Sequence, residues 1–256
     1  MTINDKATLL RRLHTDPDLL VLVNVWDVAS ARVVADLPGS SALATASHAI
    51  AASAGYEDGE NIPVEEMLAV IGRIAAAVTL PVTADLEAGY GDAAETVRRA
   101  IGLGIVGANI EDQMRPLPEA VAAVAAVVAA GEDEGIDDFV LNARTDAFLM
   151  AGDRPPADVL ADAIARGRAF VEAGAPVVFV PGRQSAEEVA ALVEGIGPVS
   201  LIALPGSIPL AQMHELGVQR VSLGPWSQRI ALTALADAGA AILGGAAVPP
   251  GTRVLT

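Results

Sequence analysis

The chain has 256 residues and a formal net charge of −16, from 32 acidic against 16 basic side chains. That balance argues against nucleic acid and anionic membranes as partners, because both select basic surfaces. There is no cysteine, which rules out disulfides and thiol nucleophiles, and one lysine, Lys6, so Schiff-base and pyridoxal chemistry survive only if the N-terminal leader folds into the site.

The leader, residues 1–18, is amphipathic and lacks the apolar stretch of a signal peptide, so a cytoplasmic protein is expected. Strand-like runs then recur at 21–26, 41–47, 81–87, 107–112, 139–145, 176–182, 200–206 and 220–225. Between them lie helical patterns at 63–78, 92–103 (with Asp92 as N-cap), 117–131, 155–173, 185–195, 208–216 and 226–243. Alternating βα units imply a parallel sheet, and eight of them in this length predict one (β/α)₈ TIM barrel over 1–256, with 226–256 as its last helix and tail. A doubly wound sheet is the alternative. The run AVAAVAAVVAA (120–130) is too short to span a bilayer. GLGIVG (102–107) spells the dinucleotide fingerprint, but it closes a helix and leads into a strand, the reverse of what the fingerprint requires. It reads as a helix C-cap and tight turn, and no nicotinamide or flavin is expected.

Barrel enzymes carry their chemistry at the C-terminal ends of the strands. Those ends hold Asn24, Trp26 and Asp27, then Thr45 and Ser47, then Asp85 and Glu87, then Asn109 and Glu111, then Asn142 and Arg144. Residues two apart on a strand share a face, and the outer faces lie under helices, so these pairs are expected to point into the barrel mouth. Asp85, Glu87 and Glu111 then form a carboxylate cluster suited to a hard divalent cation such as Mg²⁺. Arg144 either grips a substrate carboxylate or phosphonate, or forms a structural salt bridge with Glu111 or Asp112. His48 is an acid/base group or a loop residue, and Trp26 walls the site or fills the mouth. Asp58, on the loop after the second strand, reaches the metal or serves as a turn residue beside Gly59. His14 and His214 read as surface or packing residues.

At these residues the sequence resembles the isocitrate lyase / phosphoenolpyruvate mutase superfamily. The resemblance rests on NVWDVASAR, LATAS, GYEDGE, PVTADLEAGYGD, GANIEDQ and LNARTDAF, in order, with ALPG and LGVQRVSLGP further on. It implies a barrel that holds Mg²⁺, with Mn²⁺ as a substitute, and chemistry through a metal-bound enolate of a pyruvate-like fragment. It implies that Asp85 meets the metal directly, with Glu87, Asp58 and Glu111 in its shell, largely through water. Ser47 and the following N–H groups would receive the substrate carboxylate, with Trp26, His48 and Asn142 beside them, and Arg144 would be the substrate arginine. The last helix would be exchanged between subunits of a homo-oligomer, a dimer or tetramer.

The departures bear on substrate. The superfamily's lyase cysteine is absent, and EDQMRPLPEAV passes almost straight into the next helix. Pro181 and Gly182 stand where those lyases place a glutamate, and ALPGS replaces their polar stretch after the seventh strand. Isocitrate lyase proper is therefore not expected. The expected activity is a Mg²⁺-dependent carbon–carbon lyase, by retro-aldol cleavage or decarboxylation, on a small α-keto or 2-hydroxy carboxylate. Phosphonomutase chemistry and a non-catalytic binding protein are the alternatives. Tyr56, Tyr90, His48 and water stand as proton donors.

Overall fold

The strands are short and nearly all buried on both faces, as parallel strands under helices must be. They are β1 (Leu20–Leu22), β2 (Asn24–Val25), β3 (Leu43–Thr45), β4 (Val82–Asp85), β5 (Gly107–Glu111), β6 (Val140–Arg144), β7 (Val177–Phe179), β8 (Val199–Ile202) and β9 (Arg220–Ser222), in a computed structural model that describes residues 1–255. All neighbours run parallel, in the order β1-β9-β8-β7-β6-β5-β4-β3-β2. β1 and β2 stand at opposite ends of that order, yet only Val23 separates them in sequence. They are one interrupted strand, so the sheet closes into the expected (β/α)₈ barrel, and the doubly wound alternative falls. Asn24 stitches the closure: its Nδ2 donates to the Thr45 carbonyl at 2.8 Å, and its Oδ1 accepts from the Leu223 and Gly224 N–H groups, each at 2.8 Å.

The helices are α1 (Ile3–Leu13), α2 (Val28–Ala35), α3 (Ser47–Ala54), α4 (Val64–Ala77), α5 (Ala93–Gly102), α6 (Leu117–Asp133), α7 (Pro156–Glu172), α8 (Ala186–Ile196), α9 (Leu210–Glu215) and α10 (Trp226–Leu243). Asp92 caps α5 as expected, accepting from the Glu95 N–H. GLGIVG is the end of α5, a left-handed Gly104 and the entry to β5. The sequence pattern does not mark α2 and α3 individually, because eight residues are too few to show a clear period. As a result Ser47, expected at a strand end, opens α3, while Asp27 caps α2 through the Ser30 N–H at 2.7 Å. Among the described residues no helix is long and apolar enough to cross a membrane. The expected tail ends at Thr256, which lies outside the described residues.

α1 covers the N-terminal end of the barrel. Its Leu10 packs against Gly107, where an added Cβ would lie 2.8 Å from the Val140 carbonyl and 2.9 Å from Leu10 Cδ2, so only glycine fits. Lys6 donates from this helix to the carbonyl of Val78, ahead of β4, and so sits at the opposite end from the carboxylates. α10 is different. Of its eighteen residues only Gln228 is buried, and Ile230, Leu232, Leu235, Ile242 and Leu243 are exposed.

His14, which follows α1, is a packing residue. It is buried, Nδ1 donates to the Leu10 carbonyl at 2.8 Å, and Nε2 has no partner. Burial, aided by the Arg220 charge, pushes its pKa from 6.5 down to about 3. Below pH 6.5 the unfolded chain takes up a proton that the folded chain refuses, so stability falls as the pH drops from 6.5 towards 3. By pH 5 this one group costs about 2 kcal/mol relative to pH 7. The variant His14→Gln should lose that component. Urea unfolding at pH 7 and pH 5 checks it, and an unchanged difference between the two pH values would refute the assignment.

Candidate active site

Five residues other than glycine adopt left-handed backbone: Glu60, Glu87, Tyr90, Gln113 and Met114. All lie at one end of the barrel, in the α3–α4 connection or in the loops after β4 and β5. Each such residue costs about 1–3 kcal/mol and persists only if its surroundings hold it. Here hydrogen bonds do so. The Glu60 N–H donates to Glu87 Oε2, and Glu60 Oε1 accepts from the Tyr90 N–H at 2.6 Å. The Tyr90 hydroxyl donates to Glu87 Oε1 at 3.0 Å. The Met114 N–H reaches Asp112 Oδ1 at 2.9 Å, and the Gln113 N–H reaches Asp146 Oδ2 at 3.1 Å.

This changes the expected geometry of Asp85 and Glu87. The strand stops at Asp85, and Glu87 has φ +53°, so strand alternation does not pair them. Glu87 is buried under the loop with both oxygens taken by protein donors. Burial pushes its carboxyl above the usual range, partly offset by the Glu60 N–H and the Tyr90 hydroxyl. Burial together with Glu87 raises the Tyr90 phenol. Asp85 is set otherwise. Its Oδ2 accepts from the Ser47 N–H at 3.1 Å and the Ser47 hydroxyl at 2.8 Å. Its Oδ1 is buried and has no protein partner.

Arg144 sits between two carboxylates, with Nη1 2.7 Å from Glu111 Oε2 and Nε 2.7 Å from Asp146 Oδ1. Burial works against the Arg144 charge, and Glu111, Asp146 and Asp85 more than offset it. Burial pushes the Glu111 carboxyl up to about 7; the Arg144 charge opposes this, and the negative charge of Asp146 adds to it. The Asp112 carboxylate does not pair with the Arg144 guanidinium. It pairs with Arg166 at 3.1 Å and accepts from the Met114 and Asp146 N–H groups.

A cavity of about 180 Å³ opens at these strand ends. Asn24, Ser47, His48, Asp58, Asp85, Asn109 and Arg144 line its polar side. His48 Nδ1 lies 3.3 Å from Asp58 Oδ2, and both side chains are partly exposed. The facing side is apolar and comes from the loop after β6 and the ends of β7, β8 and β9. Four candidates, Glu87, Glu111, Asn142 and Trp26, lie outside this lining. Asn142 is a layer deeper, donating to Asn109 Oδ1 at 2.8 Å. Trp26 packs against the core where the chain turns into α2. Tyr56 is also away from the cavity, with its hydroxyl on Glu66. Glu60 was missed, although it follows the turn signal of GYEDG and locks Glu87. Asp146, two residues past the end of β6, is the second anchor of Arg144. Among the described residues no group of three His, Cys, Asp or Glu side chains stands close enough to hold a metal unaided.

A family model described as phosphoenolpyruvate phosphomutase matches residues 10–243. A crystal structure from Burkholderia cenocepacia J2315, which carries a provisional phosphonomutase name, is 39% identical with a TM-score of 0.87, covering 95% of this chain and 100% of that one. Oxaloacetate decarboxylase of Paraburkholderia xenovorans is 30% identical over 89% of this chain and 79% of its own. The 2,3-dimethylmalate lyase of Eubacterium barkeri is 28% identical over 82% of this chain and 75% of its own.

The buried Asp112–Arg166 pair supports the loop beneath Arg144 and Asp146. Replacing Arg166 with Met leaves Asp112 buried without its cation, which should destabilise the fold by about 3–5 kcal/mol. Chemical denaturation measures this. A loss below about 1 kcal/mol, the range of exposed pairs, would mean the pair contributes little.

Proposed function

This chain belongs to the phosphoenolpyruvate phosphomutase family, and we propose that it is a Mg²⁺-dependent carbon–carbon lyase acting on a small α-keto or 2-hydroxy carboxylate. The carrying observation is that the free Asp85 Oδ1 and the doubly anchored Arg144 line one small cavity. The oxaloacetate decarboxylase and 2,3-dimethylmalate lyase relatives favour carbon–carbon chemistry.

The residues fit a magnesium ion. A buried carboxylate oxygen without a partner is costly unless something positive meets it, and Asp85 Oδ1 is such an atom. Mg²⁺ keeps several waters and takes one or two carboxylates directly, so it needs no three-ligand protein cage. Asp85 would hold it, with Asp58 and Glu111 receiving its waters and Glu87, its oxygens taken by Glu60 and Tyr90, adding negative charge from beneath the loop. When bound, Mg²⁺ supplies positive charge to an oxygen that becomes anionic as the bond breaks.

The chain's own groups do the rest. The Ser47 hydroxyl and N–H fix Asp85 and so are not free for substrate. The next N–H groups of α3, at His48 and Ala49, have no side-chain cap and would receive the substrate carboxylate. Arg144, immobilised by Glu111 and Asp146, keeps N–H groups for the developing enolate oxygen without reorganising. His48, held by Asp58, would orient the substrate at the mouth.

Asp85→Ala should lower Mg²⁺-dependent pyruvate release by at least about 100-fold while leaving cooperative unfolding in place. Unchanged turnover would remove the metal reading. The phosphonomutase-named structure supports a second reading, phosphorus–carbon chemistry. Phosphorus NMR with phosphonopyruvate separates the two: conversion to phosphoenolpyruvate would establish the second.

The exposed apolar face of α10 supports a homo-oligomer in which this helix packs on a neighbouring subunit. Light scattering should give a dimer or tetramer mass, and Leu235→Glu should reduce it. A monomeric parent chain would end this proposal.

A further inference from the structure

The cavity is divided by charge. Every ionisable side chain that lines it comes from β4, β6, α3 or the α3–α4 connection. The facing wall is Leu149, Phe179, Pro181, Ile202, Leu204 and Pro225, with no charged group among them. Phe179 and Pro181 are buried, and Leu149 is more than half exposed at the mouth. The one guanidinium in the lining, Arg144, already spends two N–H groups on Glu111 and Asp146. With the α3 N–H groups receiving one substrate carboxylate and Arg144 kept for the enolate oxygen, the lining offers no cation for a second carboxylate. A second, at the far end of the substrate, would be stripped of water against Phe179, Ile202 and Leu204, where no cation lines the wall and the neighbouring Arg183 guanidinium is turned onto the Pro205 carbonyl. An alkyl group there would instead leave water for an apolar surface.

We infer that this wall selects substrates whose far end is uncharged and apolar, so the substrate is an α-keto acid with a single carboxylate and a short alkyl terminus. The inference rests on the carbon–carbon lyase reading and sharpens its substrate class. For that reaction the fitting compound is a 4-hydroxy-2-keto acid. Its C3–C4 bond breaks, the electron pair passes to C3 and the enolate, and the 4-hydroxyl proton leaves to solvent as C4 becomes an aldehyde. C3 then takes up a proton to give pyruvate, so the atoms balance without an oxidant or water. The cavity volume of about 180 Å³ suits so small a molecule.

The test uses binding as well as turnover. The probes are 2-oxopentanoate and 2-oxoglutarate, which share a five-carbon chain and differ in a terminal methyl against a carboxylate. Neither carries the hydroxyl that retro-aldol cleavage needs. Calorimetry on the Mg²⁺-loaded protein should show 2-oxopentanoate binding at least about tenfold more tightly. In Leu204→Arg the preference should move at least about tenfold towards 2-oxoglutarate. Equal binding, or tighter binding of 2-oxoglutarate by the parent chain, would overturn the inference. A preference for 2-oxopentanoate that Leu204→Arg leaves unmoved would also overturn the role of the wall. Pyruvate release from 4-hydroxy-2-oxopentanoate and from oxaloacetate is then measured. Alkyl-selective binding with no release from either sustains the wall and sinks the lyase reading, whereas faster release from oxaloacetate sinks the wall and sustains the lyase.

Discussion

Too many carboxylates share one end of the barrel for the cations that reach them, and the site is organised around that imbalance. Asp85, Glu87, Glu111, Asp112 and Asp146 crowd the ends of three adjacent strands. Three guanidiniums answer them, each differently. Arg166 neutralises Asp112 in a buried pair. Arg144 is divided between Glu111 and Asp146. Arg220, wholly buried in the barrel, donates to Asn109 and feels Asp85 from below, and burial lowers its pKa only to about 10, so it stays charged at neutral pH. What is left over is the deficit at Asp85, which a divalent ion and its waters are suited to fill.

The same imbalance explains where backbone strain is tolerated. Glu60, Glu87 and Tyr90 are all left-handed, and they hold one another through N–H and hydroxyl donors on two carboxylates. Each bond that stabilises a negative charge also fixes an unfavourable φ. A loop built this way is stiff, which suits a site that must present fixed dipoles to a charge that forms only during reaction.

The fold was largely legible because it depends on repetition. Eight strand-like runs separated by helical ones leave few solutions, and the GLGIVG decoy was resolved by its order relative to strand and helix. Strand ends were less legible. Asp85 and Glu87 look paired by a period of two, but that period holds only while the chain stays extended, and it stops at Asp85. The break between β1 and β2 and the two eight-residue helices were invisible for a related reason: each is decided by closure of the ring, not by a local period. Glu60 was passed over because a glutamate after a glycine turn carries no sign that it will bond a residue twenty-seven positions away. The apolar wall comes from strand ends without charged side chains, so its only sign in the sequence is the replacement of polar residues at Pro181, Gly182 and ALPGS.

Asn24 ties the first strand to residues 199 and 200 positions further along the chain. Those contacts close the ring at its reactive end, beside the cavity. Enclosure of this face therefore depends on contacts between the two ends of the barrel sequence. During synthesis the carboxylates of the early strands are exposed to water long before β9 exists to complete the enclosure around them. The ring is complete only with the last strand, and a chain that stops short of β9 has the carboxylates and Arg144 but lacks the strand that closes the barrel around them.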